Sequence, residues 1–292
     1  MGGGTYSTAS RTIRSTALGY GVKTSAEIFT NRQINNAMSP HGIMVRESRD
    51  SAEHPNSLAI ILALDVTGSM GSVPHYLVKE GLPHIMDTII QSGIPDPQLL
   101  FLGIGDHECD KAPLQVGQFE SSDELLDKWL TDLWLEGGGG GNAGESYHLA
   151  WYFAAQHTSI DCFEKRNKKG YLFTVGDEPV LRSVPQTALK SIMGDGQFEH
   201  YTASQLYERA SEKYHIFHIH VQETASGGRR EVVDSWKQIV ADHLILAPRR
   251  EDVSLLISKK ITEMEGHTSQ GQVVTEKPTS SESSSTPEDV IL

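Results

Sequence analysis

The chain has 292 residues, 38% of them hydrophobic and 22% charged, values typical of a globular protein with an apolar core. Its formal net charge of −13 argues against nucleic-acid binding, because phosphate contacts require clustered Lys and Arg side chains. Two cysteines, Cys109 and Cys162, are too few for a disulfide scaffold and favour a reduced, cytoplasmic setting. The sequence has neither the apolar segment of a secretory signal near its first residue nor a run of ~20 apolar residues, so we expect no membrane association.

Residues 1–57 form an N-terminal extension in which no helical or strand periodicity stands out. Gly, Ser and Thr dominate its beginning. Six basic side chains against four acidic ones give it a small positive charge within an acidic protein. We expect a partly ordered segment that lies against the folded domain or meets a partner.

An apolar run at residues 58–64 begins the predicted domain. The run is short and ends at Asp65, so it predicts a strand buried on both faces. Thr67 and Ser69 follow at alternate positions, and a helical pattern comes next. A loop between such a strand and a helix lies at the carboxyl edge of a parallel sheet, where open α/β folds bind ligands. One carboxylate and two hydroxyls are donors of the kind that hard divalent cations accept.

Strand and helix patterns alternate as far as residue 266. Apolar periodicity predicts a helix over residues 73–90, with a kink at Gly81 and Pro83 and an end at Gly93. The other predicted elements are a strand at 99–104, a helix opened by a capping box at Ser121 and Glu124, a buried helix from about Glu145, a strand at 171–175, a helix from the capping box of Thr202 and Gln205 to about Tyr214, a strand at 215–221, a helix at 232–240, a strand at 244–246 and a helix at 253–264.

This alternation predicts one α/β domain over residues 58–266. Its sheet is expected to be doubly wound and mostly parallel, in the Rossmann-like manner, with helices on both faces. Residues 267–292 are rich in Ser, Thr, Glu and Pro and have few apolar side chains. They are predicted to be a disordered acidic tail.

The pattern Asp65-x-Thr67-x-Ser69 after an apolar strand resembles the metal-ion-dependent adhesion site (MIDAS) of von Willebrand factor A (VWA) domains, over about residues 58–247. The first loop of that family usually reads Asp-x-Ser-x-Ser, and Thr67 keeps the hydroxyl. The third loop of the family supplies an Asp after a later strand, and Asp177 has that position here. The resemblance therefore implies that these four side chains hold one metal ion.

The second loop departs from the family pattern. The usual Thr of the family would fall at Gly141, and Asn142 or Glu145 is the candidate substitute, since amide and carboxylate oxygens both suit a hard cation. The glycine run at 137–141 is expected to pack closely over the metal edge. Glycine allows positive φ and close backbone approach, which a loop of this kind requires.

A bacterial and alpha-kinase-linked subset of VWA domains resembles this chain more closely. Its members carry an Asp-His pair after the second strand and a Gly-rich loop that ends in Glu. Asp106 and His107 match the pair, and we expect them to orient the metal ligands rather than bind the ion. His218 and His220 lie on one face of a predicted strand; without an evident third donor, they are interpreted as packed core side chains.

Two classes of function fit these residues. The resemblance implies a metal-dependent protein-binding module, not an enzyme. The expected ion is Mg²⁺, with Mn²⁺ and Ca²⁺ as alternatives, and a carboxylate of a protein partner completes its coordination. In bacteria such domains often accompany AAA+ ATPases of the MoxR type, so the resemblance implies such an ATPase as a candidate partner. The alternative is a Mg²⁺-dependent phosphohydrolase or phosphotransferase with Asp65 as nucleophile. Thr67, in place of the second acid of an Asp-x-Asp motif, counts against it, and no Walker loop is present.

Overall fold

The structure is a computed structural model and describes residues 4–137 and 144–266. In this part of the chain the strands are β1 (Arg46–Ser48), β2 (Leu58–Asp65), β3 (Pro97–Ile104), β4 (Leu114–Val116), β5 (Thr158–Ile160), β6 (Gly170–Gly176), β7 (Ser183–Val184), β8 (Tyr201–Thr202), β9 (Tyr214–Val221) and β10 (Leu244–Ala247).

The α-helices of the same residues surround these strands. They are α1 (Thr8–Leu18), α2 (Ser25–Ile28), α3 (Ser72–Tyr76), α4 (Leu82–Gln91), α5 (Asp123–Thr131), α6 (His148–Gln156), α7 (Asp161–Glu164), α8 (Gln186–Met193), α9 (Ala203–Ser211), α10 (Arg230–Val240) and α11 (Asp252–Met264).

A six-stranded sheet with the order β10-β9-β6-β2-β3-β4 is the centre of the fold. All its pairings are parallel except that of β3 with β4. The chain passes from β2 to β3 on one side and later returns to β6 on the other side of β2. The winding direction therefore reverses at β2, which opens a crevice at its carboxyl end. The predicted doubly wound, mostly parallel α/β fold is confirmed.

Strand β2 contributes apolar side chains to both faces of the sheet. Leu62 and Leu64 pack on one face with α4, α5 and α11, whereas Ile61 and Ala63 pack on the other with α6, α8, α9 and α10. All eight residues of β2 are buried. The continuous apolar run is thus the signature of a central strand between two helical layers.

The sequence-based boundaries differ from the structure at several points. The expected interruption of the helix at 73–90 takes the form of a π-helical turn, Leu77–Gly81, between α3 and α4. A Cβ at Gly81 would lie 2.7 Å from Leu77 Cδ2 and 3.1 Å from Tyr76 Cε1, so a larger residue there would require these side chains to shift. The expected end at Gly93 is confirmed by its φ of 81°.

Two predicted helix starts are wrong by a few residues. The N-cap of α5 is Ser122, whose Oγ accepts the N–H of Leu125, and not Ser121. Helix α6 begins at His148, because the backbone of Glu145 is engaged in a parallel bridge to Val180. The capping box that opens α9 is confirmed, although this helix ends at Ser211. The antiparallel strand β4 was not predicted.

Residues 4–57 run along the domain and contact it through buried charges. In α1, Arg11 is 1% exposed, and its Nε lies 2.7 Å from Asp127 Oδ1 in α5. Strand β1 pairs in parallel with β5, and Arg49 beyond it forms an ion pair of 2.8 Å with Asp161. The extension therefore has specific polar partners on two sides of the sheet.

Every helix within residues 4–137 and 144–266 is too short or too polar to cross a lipid bilayer.

Candidate metal centre

The loop after β2 presents its first carboxylate in a fixed orientation. Asp65 Oδ1 accepts the backbone N–H of Thr67 at 2.9 Å and the Thr67 hydroxyl at 2.6 Å. This is the local turn that Asp favours, in which a side-chain oxygen caps the backbone two residues further on. Asp65 and Thr67 are 1% and 4% exposed, whereas Ser69 is at the surface. The loop thus leads from a buried carboxylate to an accessible hydroxyl.

Asp177 meets this loop from the neighbouring strand. Leu64 of β2 pairs with Val175 of β6, so the two strands end side by side. The Ser69 hydroxyl donates to Asp177 Oδ1 at 3.1 Å. Asp177 is fully buried, and its Oδ2 has no hydrogen-bond partner among the described residues. The structure therefore brings the side chains of both loops together at the sheet edge.

Tyr147 is a component of this site that the sequence patterns did not predict. Its hydroxyl donates to Asp65 Oδ2 at 2.7 Å, and the residue is fully buried. The ring passes directly over Gly176, where a Cβ would lie 1.8 Å from the Tyr147 hydroxyl oxygen. Only glycine at the end of β6 leaves this path open. The pair Tyr147 and Gly176 could not be read from local patterns, because they are distant in sequence.

Glu145 lies in the second loop, next to the same edge. Its N–H donates to the carbonyl of Pro179 at 2.9 Å, and its own carbonyl accepts the N–H of Leu181 at 2.9 Å. The residue is 6% exposed, and its Oε2 lacks a hydrogen-bond partner among the described residues. The loop that follows Asp177 thus fixes the position of a third buried carboxylate.

The electrostatics of this edge are unbalanced. Burial, and then the charge of Asp65, raise the pKa of Glu145 to about 10. Burial also raises the pKa of Asp65 to about 7, against hydrogen bonds from Thr67 and Tyr147, with a further rise from Asp177. Within residues 4–137 and 144–266, none of these three carboxylates forms an ion pair with Lys, Arg or His. Clustered carboxylates without a counter-charge are costly in a protein interior.

Asp106 and His107 lie in the turn after β3, and His107 contacts the second loop. Asp106 Oδ1 accepts the N–H of Glu108 at 2.8 Å. His107 donates its backbone N–H to Ser146 Oγ at 2.9 Å, and its Nδ1 lies 2.7 Å from the same oxygen. Ser146 N donates to the carbonyl of Gly105 at 3.1 Å. These bonds connect the turn to the segment that carries Glu145 and Tyr147.

Two other sequence-based candidates have different outcomes. Asn142 and most of the glycine run at 137–141 lie outside the described residues; of the run, only Gly137 is described, with a φ of 65°. His218 and His220 are fully buried. His218 stacks on Trp236 at 3.4 Å between ring centroids, and His220 Nε2 lies 2.9 Å from the carbonyl oxygen of Gly227. Their place in the core agrees with the packed interpretation.

The donor set fits a hard cation that is bound partly by hydroxyls. No group of three or more Cys, His, Asp or Glu side chains in the described part of the chain is close enough to hold a metal by itself. The Asp65 carboxylate is hydrogen-bonded to the Thr67 hydroxyl, and the Asp177 carboxylate to the Ser69 hydroxyl. These four side chains offer oxygen donors only, which suit Mg²⁺, Mn²⁺ or Ca²⁺. The unpartnered Oδ2 of Asp177 is an acceptor that such a cation would satisfy, whereas Glu145, whose Oε2 also lacks a partner among the described residues, lies beside this set.

Comparisons with known proteins give only distant structural similarities. No protein-family profile matches the chain, and no curated protein matches it. The chain is similar to the pilus adhesin SpaC of Lactobacillus rhamnosus GG in open conformation, at 9% identity and a TM-score of 0.47, over 75% of this chain and 31% of that one. It is also similar to the vWF domain of the type V pili tip protein Mfa5 of Porphyromonas gingivalis, at 10% identity and a TM-score of 0.44, over 75% and 98% of the two chains.

A third similar structure is the conserved hypothetical protein BatB of Bacteroides thetaiotaomicron, at 10% identity and a TM-score of 0.41, over 72% of this chain and 99% of that one. The chain spans about a third of the SpaC structure. Similarities at this level concern the fold and carry no argument about function. The fold class rests on the sheet order and register described above.

Proposed function

We propose that the chain is a metal-dependent protein-binding module of the VWA type, with Mg²⁺ as the resident ion. Asp65, Thr67, Ser69 and Asp177 are the proposed ligands, with Glu145 at the second loop. The observation that carries the proposal is the contact of Ser69 Oγ with Asp177 Oδ1, beside an Asp177 Oδ2 that is buried without a partner among the described residues. A cation at this edge would offset the repulsion among the buried carboxylates.

The exposure of the site supports a binding role. Ser69 and Gly68 are at the surface, whereas the carboxylates behind them are buried. An ion held by few charged ligands keeps water in its open positions, and a carboxylate of a protein partner can displace that water. The proposed partner is therefore a protein that donates Asp or Glu. An AAA+ ATPase of the MoxR type, in the cytoplasm, is the partner that the sequence resemblance suggests.

The geometry of Asp65 weighs against the enzymatic alternative. A nucleophilic carboxylate needs an oxygen free to attack a phosphorus atom. Both oxygens of Asp65 accept hydrogen bonds, from Thr67 and Tyr147, and the residue is 1% exposed. Incubation with a panel of phosphoesters and Mg²⁺ tests this point. Turnover that disappears in Asp65→Asn would favour the enzyme.

Isothermal titration with Mg²⁺ tests the proposed function. We expect one binding event in the wild type and its loss in Asp177→Asn, which keeps the shape of the side chain and removes its charge. Asp195→Asn is the matched control, because Asp195 is exposed and away from the metal edge in sequence. Circular dichroism verifies that each variant is folded. Unchanged Mg²⁺ affinity in Asp177→Asn would refute the assignment.

A further inference from the structure

A groove of about 570 Å³ adjoins the metal edge. Its walls come from the loop after Asp177, from one face of α10 and from the turn after β3. The residues that line it include Val180, Leu181, Arg182, Ser235, Gln238 and Ile239.

The groove and the metal edge share one hydrogen-bonded loop. The carbonyl of Glu178, one residue after Asp177, accepts the Trp236 Nε1–H of α10 at 2.9 Å. The carbonyl of Pro179 accepts the N–H of Glu145, and the N–H of Leu181 donates back to the Glu145 carbonyl. The wall of the groove is therefore held in place by the same residues that carry the carboxylates. A partner bound at the edge meets a preformed wall.

The chemistry of the groove differs from that of the edge. Val180 is 9% exposed, and Leu181 and Ile239 are half-buried; they form an apolar patch in a groove whose lining also includes Ser235 and Gln238. Arg182 is exposed at its rim, while the metal edge beside it is lined by carboxylates. An apolar side chain of a ligand fits this patch, and the positive charge of Arg182 complements a ligand that carries Asp or Glu.

We propose that this groove binds the segment of the protein partner that flanks its metal-binding carboxylate. The occupant is an extended peptide with Asp or Glu at the ion and Leu, Ile, Val or Met within three residues of it. Asp177 and Val180 are three residues apart in the chain, so their Cα atoms lie no more than ~11 Å apart. An extended peptide spans that upper limit in about three residues, at ~3.3 Å each, which sets the largest spacing between its acidic and its apolar side chain. This inference rests on the proposed function and adds the sequence preference of the partner.

Peptide titrations test the groove. The probes are acetyl-Gly-Asp-Gly-Gly-Leu-Gly-amide and the same peptide with Ala in place of Leu, each added with Mg²⁺ to the full chain. Binding is followed by NMR through the methyl groups of Val180, Leu181 and Ile239. We expect the Leu peptide to bind about tenfold more tightly than the Ala peptide, since burial of the larger side chain adds apolar contact. We also expect EDTA to abolish the binding of both peptides.

Ile239→Asp should remove the preference for Leu while Mg²⁺ affinity stays at the wild-type value. Glu231→Ala, a change at an exposed position of the same helix, is the matched control and should keep the preference. Equal affinity of the two peptides for the wild type, or a preference that survives Ile239→Asp, would overturn the groove and leave the metal site intact. Failure of the wild type to bind Mg²⁺ in the titration without peptide would sink both proposals.

Discussion

Tyr147→Phe is the sharpest perturbation of the proposed metal centre. It deletes one hydroxyl, which donates to Asp65 Oδ2 at 2.7 Å, and leaves the ring in place. The ring packs edge-on against His218 and Trp236, with centroids 5.3 Å away in both cases, so a Phe ring keeps these contacts. The variant therefore frees one oxygen of Asp65 with little change in the core.

The expected effect follows from the strength of that bond. A hydrogen bond to a charged group contributes ~1.5–3 kcal/mol, and ~1.4 kcal/mol corresponds to a tenfold change in affinity. Residues that orient a metal ligand typically contribute about 10–100-fold to metal affinity. We expect Tyr147→Phe to weaken Mg²⁺ binding within this range. Gly176→Ala should act in the same direction, because its Cβ would lie 1.8 Å from the Tyr147 hydroxyl oxygen.

Isothermal titration with Mg²⁺, and with Mn²⁺ as a second ion, measures the loss. Tyr152→Phe is the matched control: Tyr152 belongs to the helix that follows Tyr147, and its hydroxyl lies 3.4 Å from His157 Nε2, with no contact to the metal edge among the described residues. Wild-type Mg²⁺ affinity in Tyr147→Phe would show that the hydroxyl does not orient Asp65. An equal loss in Tyr152→Phe would show that the effect comes from the core and not from this bond.

Three further predictions concern stability. Burial raises the pKa of Asp161, but hydrogen bonds from Lys165, the Asp50 backbone and Arg49 outweigh it and lower the pKa from 3.8 to about 2. This lowered pKa contributes ~2 kcal/mol to the free energy of unfolding above pH ~4, and the contribution is lost as the pH falls through ~2. Urea unfolding of Asp161→Asn should thus show a deficit at pH 6 and a much smaller one near pH 2, with a smaller deficit at pH 6 for Glu164→Gln. Arg11→Met should cost up to ~3 kcal/mol in the same assay, because it leaves the buried Asp127 carboxylate with Arg14 alone, 3.6 Å from its Oδ2; a cost below ~1 kcal/mol would contradict this. Removal of residues 267–292, for which composition predicts disorder, should leave the melting temperature nearly unchanged.

The parts of the site that follow from sequence are those encoded by a single local pattern. Asp65, Thr67 and Ser69 lie directly after an apolar run, and Asp177 follows another one. Each pattern predicts a strand and the loop beyond it, and parallel pairing then brings strand ends to one edge. The sheet order and the contact between Ser69 and Asp177 agree with that reasoning.

The remaining components depend on packing between segments that are distant in sequence. The Tyr147 hydroxyl reaches Asp65 only because Gly176 lacks a Cβ, and neither residue carries a local signal for this role. Glu145 is expected from its pattern to start a helix, but a bridge to Val180 keeps it in the loop. The contacts of Arg11 in the extension are equally invisible to periodicity, since α1 buries a charged side chain and not an apolar stripe.

The other buried acids of the chain provide an internal comparison for the metal edge. Asp127 is 3% exposed and has Arg11 at 2.7 Å, and Asp161 is 1% exposed and has Arg49 at 2.8 Å. In both cases a guanidinium reduces the cost of removing the carboxylate from water. Asp65 and Asp177 are buried to the same degree, yet no basic side chain in the described part of the chain pairs with either. A sequence that supplies arginine to its structural acids, and hydroxyls to those at the carboxyl edge of the sheet, leaves the edge a negative charge that a divalent cation can complete.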